Sequence, residues 1–158
     1  MERGFPIEEF EARTRRAQAL MAKQGIDALL LTTEPDVRYF TGFLTRFWES
    51  PARPWFIVVP AAGKPIAVIP SIGAALMGST WIDDIRTWRA PDLIDDGVSL
   101  LSDTIKECVG TSGRVGIPAG HESHVRVPMS DFDRLKTCLL YTSPSPRDLS
   151  TSRMPSSA

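Results

Sequence analysis

A short apolar run at residues 26–32 limits the folds that are open to this chain. The run is long enough for a buried strand and too short for a helix. Gly25, directly before it, ends an amphipathic segment that begins after Pro6 and carries acidic residues in its first turn. A helix therefore leads straight into a buried strand, and the sequence predicts helices packed against a sheet.

The rest of the chain alternates in the same way. After the first strand, the sequence predicts a short helix from 34 that ends at Gly42, an irregular loop at 43–54, and a hairpin of strands at 55–60 and 65–70 with Gly63 in its turn. The remaining predicted elements are a short helix at 72–77, a strand at 85–88, a helix at 93–109, a strand at 114–118 and the start of a helix at 128–136. This order predicts the α/β class, with a mixed β-sheet flanked by helices.

Composition excludes several classes of protein. The 158 residues suffice for about one domain, and 42% of them are hydrophobic, which is enough for a core. A net charge of −1 argues against a nucleic-acid partner. Since no apolar run approaches the roughly 18 residues of a membrane span, we expect no membrane partner. Two cysteines are too few for a disulfide scaffold, and we expect a cytoplasmic protein.

The composition changes near the C-terminus. Of the 21 residues at 138–158, eleven are Ser, Thr or Pro, and they follow neither the helical nor the strand period. This composition predicts a disordered tail. Residues 138–148 also look like a translation of a transposase sequencing adaptor, and 153–158 continue it in frame. We therefore expect a domain at 1–137 and an adaptor-derived tail at 138–158.

Few residues form a pattern that is typical of a catalytic site. The sequence contains no phosphate-binding loop and no nucleophile elbow. His121 and His124 are one residue too close for a zinc-peptidase helix motif, and their flanking Gly and Pro favour an exposed loop. Cys108 lies on the apolar side of a helix, where a packing role is favoured. The sequence therefore predicts no catalytic residue and no metal ligand.

The segment at 38–55 concentrates aromatic and arginine side chains. Its members are Arg38, Tyr39, Phe40, Phe43, Arg46, Phe47, Trp48, Arg53 and Trp55. Aromatic rings with arginine on a loop are typical of interfaces and of clamps for carboxylate or guanidine ligands. The rings could equally cover a sheet edge, and the sequence leaves both interpretations open.

Two motifs carry a resemblance to a known family. The sequences GIDALLLT at 25–32 and DVRYFTGF at 36–43 are similar to the N-terminal domain of the creatinase/prolidase/aminopeptidase P family. The resemblance implies a ribonuclease-H-like arrangement of the sheet. It also implies a truncated enzyme, whose missing catalytic domain would hold two divalent metal ions for hydrolysis, most often of an Xaa-Pro bond. The fragment itself would lack the catalytic residues and bind no cofactor.

The resemblance further implies an oligomerisation and substrate-lid role. The family N-terminal domain overhangs the active site of a neighbouring subunit, which implies a homo-oligomer, most simply a dimer, and a peptide or small amide substrate. The candidates to reach substrate across that interface are Phe47, Trp48 and Arg53. The alternative is a stand-alone small α/β binding module that uses the loop at 38–55.

Overall fold

The computed structural model describes residues 4–50, 54–118 and 120–140. These residues form five α-helices and five strands, in the order α1 (Ile7–Gln24), β1 (Ala28–Leu31), α2 (Glu34–Thr41), β2 (Phe56–Pro60), β3 (Ile66–Pro70), α3 (Ala74–Met77), β4 (Ile85–Trp88), α4 (Val98–Val109), β5 (Val115–Gly116) and α5 (Met129–Leu140). The predicted mixed sheet flanked by helices is confirmed.

The five strands form one sheet in the order β4-β3-β2-β1-β5. β2 pairs antiparallel with both β1 and β3, and it places Val58 opposite Leu30 on one side and Ile66 on the other. β3 with β4, and β1 with β5, are parallel pairs. The hairpin of β2 and β3 therefore lies in the middle of a sheet whose two outer pairs are parallel.

Helices cover both faces of the sheet. On the first face, α1, α2 and α3 pack on the strands, and the core consists of Phe10, Met21, Leu31, Val37, Phe40, Phe43, Trp55, Ile57, Val59, Ala67, Ile69, Met77, Trp81 and Ile82. On the second face, α4 and α5 contribute to a core of Ala28, Leu30, Phe56, Val58, Val68, Val98, Leu101, Ile105 and Leu135. Alternate residues of β2 enter opposite cores, as the two-residue period of a strand requires.

The ends of the first two helices follow local chemistry. α1 carries Glu8 and Glu9 in its first turn and ends at Gly25, whose φ is 64°. α2 ends at Gly42, whose φ is 74°, and a Cβ atom there would lie 2.9 Å from Cζ of Phe10. A glycine at position 42 thus lets α2 turn away while the Phe10 ring packs against its end.

The fourth helix begins later than the sequence predicts. A start at residue 93 is wrong, because α4 begins at Val98 and residues 93–97 precede it. The Asp92 carboxylate accepts hydrogen bonds from the backbone N–H of Ile94 and Asp95, which makes a turn. Leu93 and Ile94 are 98% and 85% exposed, so their helical spacing does not reflect burial.

Two further segments differ from the sequence-based prediction. A 3₁₀ turn, Arg46–Glu49, lies within the loop predicted to be irregular. α5 continues to Leu140, so residues 138–140 of the predicted tail are helical, and residues 141–158 lie outside the described part of the chain. Within the described residues, no helix is both long and apolar enough to cross a membrane.

Candidate functional site

The aromatic loop, defined as residues 43–55, divides its rings between core and surface. Phe43 and Trp55 are buried in the first-face core, as is Phe40 of the preceding helix. Phe47 is 38% exposed, and Tyr39 is 45% exposed. Burial in the core therefore accounts for three of these five rings, while Phe47 and Tyr39 keep part of their surface exposed to solvent.

Trp55 is the centre of the ring cluster. Its ring centroid lies 5.3 Å from that of Phe43, 6.2 Å from that of Phe47 and 6.0 Å from that of Trp48. The Phe47 ring stacks at an interplanar angle of 23°. A Cβ atom at Gly73 would lie 2.3 Å from Cζ3 of Trp55, so glycine is needed for this close approach. Phe47 is thus an exposed ring on a fully buried support.

Local hydrogen bonds shape the 3₁₀ turn that carries Phe47 and Trp48. The Thr45 hydroxyl accepts a hydrogen bond from the Phe47 N–H at 3.2 Å, and the Ser50 N–H donates to the Phe47 carbonyl at 3.1 Å. Before the turn, the Thr41 hydroxyl donates to the Val37 carbonyl and accepts from the Phe43 N–H. The hydroxyls of Thr41 and Thr45 therefore accept hydrogen bonds from backbone N–H groups that lie outside the α-helices and strands.

Arg126 also contacts this turn, and sequence reasoning missed it. Its Nη2 donates to the Trp48 carbonyl at 3.3 Å and to the Ser50 carbonyl, and its Cζ lies 5.1 Å from the Trp48 ring centroid. Burial lowers the pKa of Arg126, and the negative charge of Glu34 opposes that shift. Nothing in the sequence near residue 126 indicates a pairing with a loop almost eighty residues earlier.

The arginines of the segment at 38–55 do not converge on a pocket. Arg38 and Arg46 are exposed. Arg53, the third candidate for substrate contact, lies outside the described residues, so its placement is not tested. Of the three candidates, Phe47 and Trp48 are brought together on the 3₁₀ turn.

The remaining candidate groups lie apart from one another. His121 and His124 lie in the exposed loop that their flanking residues predict. Asp83 and Asp84 are adjacent carboxylates, a pair that could in principle share a metal ion. Asp83 pairs instead with Lys64 at 2.6 Å and Asp84 with Arg86 at 3.0 Å, so each has its own partner. Within the described ranges, no group of three or more His, Cys, Asp or Glu side chains is placed to hold a metal ion.

Comparison with known proteins identifies the family. The family model described as the creatinase/prolidase N-terminal domain matches residues 13–151. The chain belongs to this family. A search of curated proteins finds no match.

Solved structures of related proteins share the fold. Dipeptidase PepE from Mycobacterium ulcerans matches with a TM-score of 0.63 at 21% identity, over 85% of this chain and 33% of that one. A prolidase from Thermococcus sibiricus matches with a TM-score of 0.68 at 18% identity, over 89% of this chain and 34% of that one. The chain therefore spans about a third of the length of these two proteins.

A third structure has nearly the same extent as this chain. The creatinase/prolidase N-terminal domain of an X-Pro dipeptidase from Streptococcus pyogenes matches with a TM-score of 0.62 at 12% identity, over 87% of this chain and 95% of that one. The fold expected from the resemblance is confirmed. The division at residue 137 stays a prediction.

Proposed function

We propose that this chain is the non-catalytic N-terminal domain of a longer Xaa-Pro peptidase-like or creatinase-like hydrolase, and that its aromatic loop serves oligomerisation and covers substrate. The observation that carries the proposal is the half-exposed Phe47 ring stacked on the fully buried Trp55. A ring held in this way can dock on a partner with little loss of side-chain entropy, because its orientation is already set.

The chemistry of the described residues suits binding and not catalysis. The aromatic loop offers Phe and Trp rings and arginine side chains, which are enriched at the centres of protein interfaces. The two divalent metal ions belong, in this proposal, to a catalytic domain beyond this chain, where they would activate water for hydrolysis. In this proposal, none of the described residues takes a catalytic role.

The proposed partners are a second copy of the chain and, in the longer hydrolase, a peptide or small amide. The structures named as a dipeptidase, a prolidase and an X-Pro dipeptidase support a peptide. Phe47 and Trp48 would line the substrate side of the interface, together with Arg53. A cytoplasmic location stays a prediction from the sequence.

Sedimentation velocity of the full chain over a range of concentrations tests the oligomerisation part. We expect a dimer, and we expect Phe47→Ala to raise its dissociation constant about tenfold, as loss of an interface aromatic does. Leu93→Ala is the matched control, because Leu93 is 98% exposed in a different loop. A chain that stays monomeric at the highest concentration refutes the oligomer and favours the stand-alone binding module.

A kinetic measurement in the longer hydrolase tests the lid part. Phe47→Ala and Arg53→Ala are expected to raise KM for a dipeptide more than they lower kcat, since these side chains would hold substrate without touching the reacting atoms. Unchanged KM in both variants would refute the lid role while leaving oligomerisation untouched.

A further inference from the structure

The loop before α5 reaches back across the sheet to the aromatic loop. The Arg126 N–H donates to the Thr32 hydroxyl at 2.9 Å, directly after β1. The Arg126 side chain donates to carbonyls of Trp48 and Ser50, which precede it by 78 and 76 residues. One residue thus joins the end of a central strand to the 3₁₀ turn that presents Phe47.

The contact combines two features of arginine, a donor nitrogen and a planar cation. The two carbonyls lie at the end of the 3₁₀ turn Arg46–Glu49, where backbone oxygens lack partners within the turn. One guanidinium nitrogen, Nη2, donates to both carbonyls, and the guanidinium carbon lies 5.1 Å from the centroid of the Trp48 ring. A lysine ammonium could donate to the same carbonyls, but it would not place a planar cation over the Trp48 ring.

The turn's other hydrogen bonds described above are local. Those at Thr45 and Ser50 join residues two or three apart, so they fix the shape of the turn and not its position on the domain. The Arg126 contacts are long-range, and they start from a backbone that is itself bonded to Thr32. Together with the packing of Phe47 and Trp48 on Trp55, they therefore set where the turn lies relative to the sheet.

We propose that Arg126 is a positioning residue for the interaction surface of the aromatic loop: it holds the 3₁₀ turn so that Phe47 stays stacked on Trp55 and exposed to a second copy of the chain. This inference rests on the proposed function. Without the tether, the turn keeps its local shape but moves on the domain, and Phe47 no longer meets its partner in a fixed orientation.

The experiment compares Arg126→Ala, Arg126→Lys and Arg134→Ala in the full chain. Arg134 is the matched control because its Nη1 also donates to a backbone carbonyl, that of Ile94, at 2.5 Å in a distant loop. Sedimentation measures dimer dissociation, urea unfolding measures stability, and acrylamide quenching of tryptophan emission measures how far the indole rings are exposed.

We expect Arg126→Ala to weaken the dimer about tenfold and to increase quenching, with Arg134→Ala close to wild type in both. Arg126→Lys is expected to keep the urea midpoint near wild type and still dimerise weakly, because the planar cation over the Trp48 ring is lost. That separation of association from stability is a result that a merely structural role would not give. If Arg126→Ala fails to fold, the Lys variant carries the test.

The two proposals fail in different ways. A wild-type dimer that Arg126→Lys leaves equally tight overturns the positioning role and leaves the oligomerisation surface standing. A monomeric wild type overturns the oligomerisation surface, and quenching then decides whether Arg126 holds the turn. Quenching that is unchanged in both Arg126 variants overturns the tether itself.

Discussion

The two faces of the sheet are packed with different kinds of side chain. The first face buries Phe10, Phe40, Phe43, Trp55 and Trp81, whereas the second is mainly aliphatic and has Phe56 as its one fully buried ring among the described residues. Between α4, α5 and β5, the second face also leaves a cleft of about 320 Å³. A core rich in aromatic rings and a core of aliphatic side chains beside a cleft thus lie on opposite sides of one sheet.

This contrast explains why the aromatic loop can be both core and surface. A ring buries a large area in one piece and has few rotamers, so a cluster of rings makes a stiff support. Trp55 is such a support at the edge of the first face, and the Phe47 ring stacks on it. The described residues of the second face form no such cluster of aromatic rings, and the cleft on that face lies away from the aromatic loop.

The largest expected effect tests the difference in packing directly. Trp55→Ala should lower the free energy of unfolding by about 3–5 kcal/mol, because it removes a fully buried ring and leaves a closed cavity. Leu135→Ala should cost about 2 kcal/mol, the low end for leucine, because Leu135 lines the open cleft and its loss encloses no new void. Urea unfolding monitored by far-UV circular dichroism measures both.

Leu101→Ala controls for the size of leucine, since Leu101 is equally buried on the second face but does not line the cleft. It should cost more than Leu135→Ala. Equal losses for the two leucines would mean that the cleft closes in solution, and the contrast between the faces would then be wrong.

Much of the fold could be predicted from the sequence because local signals agree with it. Gly25 and Gly42 end helices where left-handed backbone is required. The hairpin of β2 and β3 follows from two apolar runs around Gly63. The start of α4 could not be predicted, because Leu93 and Ile94 match the helical period without being buried, and the Asp92 turn competes with the helix.

The candidate site was less accessible to prediction. Composition marked the segment at 38–55, but it could not say which rings are buried, because Trp55 and Phe47 look alike in a sequence. Their difference depends on Gly73, which approaches Trp55 from a separate element. Arg126 was missed for the same reason: its contacts to Trp48 and Ser50 exist only once the chain has folded.

A prediction of intermediate size concerns Arg13, a charged residue buried on the first face of the sheet. Arg13 is 8% exposed and donates to Glu9 at 2.8 Å and to the Tyr39 carbonyl at 3.0 Å, at the end of α2. Its Cζ also lies 4.4 Å from the Phe5 ring centroid. Arg13→Ala should cost about 1–3 kcal/mol of unfolding free energy, because the partly buried Tyr39 carbonyl loses its charged donor.

Arg15 provides the matched control for Arg13 on the same helix. Its side chain is largely exposed and pairs with Glu11 at 3.5 Å, so Arg15→Ala should change stability by less than about 0.5 kcal/mol. If both alanine variants lose the same free energy of unfolding in urea, Arg13 would contribute only as a surface charge, and its contacts would not stabilise the packing of the first face.

The smallest expected effect concerns the thiol of Cys108, on the second face of the sheet. Cys108 packs against the second-face core, and burial raises its pKa, while the positive charge of Arg86 opposes the shift. A raised pKa means less thiolate at a given pH, so alkylation by iodoacetamide should reach half its maximal rate at a higher pH than for free cysteine.

The Cys138→Ser variant makes Cys108 the single thiol, and the same variant unfolded in urea supplies the reference titration. The pH midpoint separates the pKa from simple access, because access scales the rate at every pH alike. A midpoint equal to that of the unfolded chain would show that Cys108 stays hydrated, and that the second face is looser than the packing of Cys108 against its core implies.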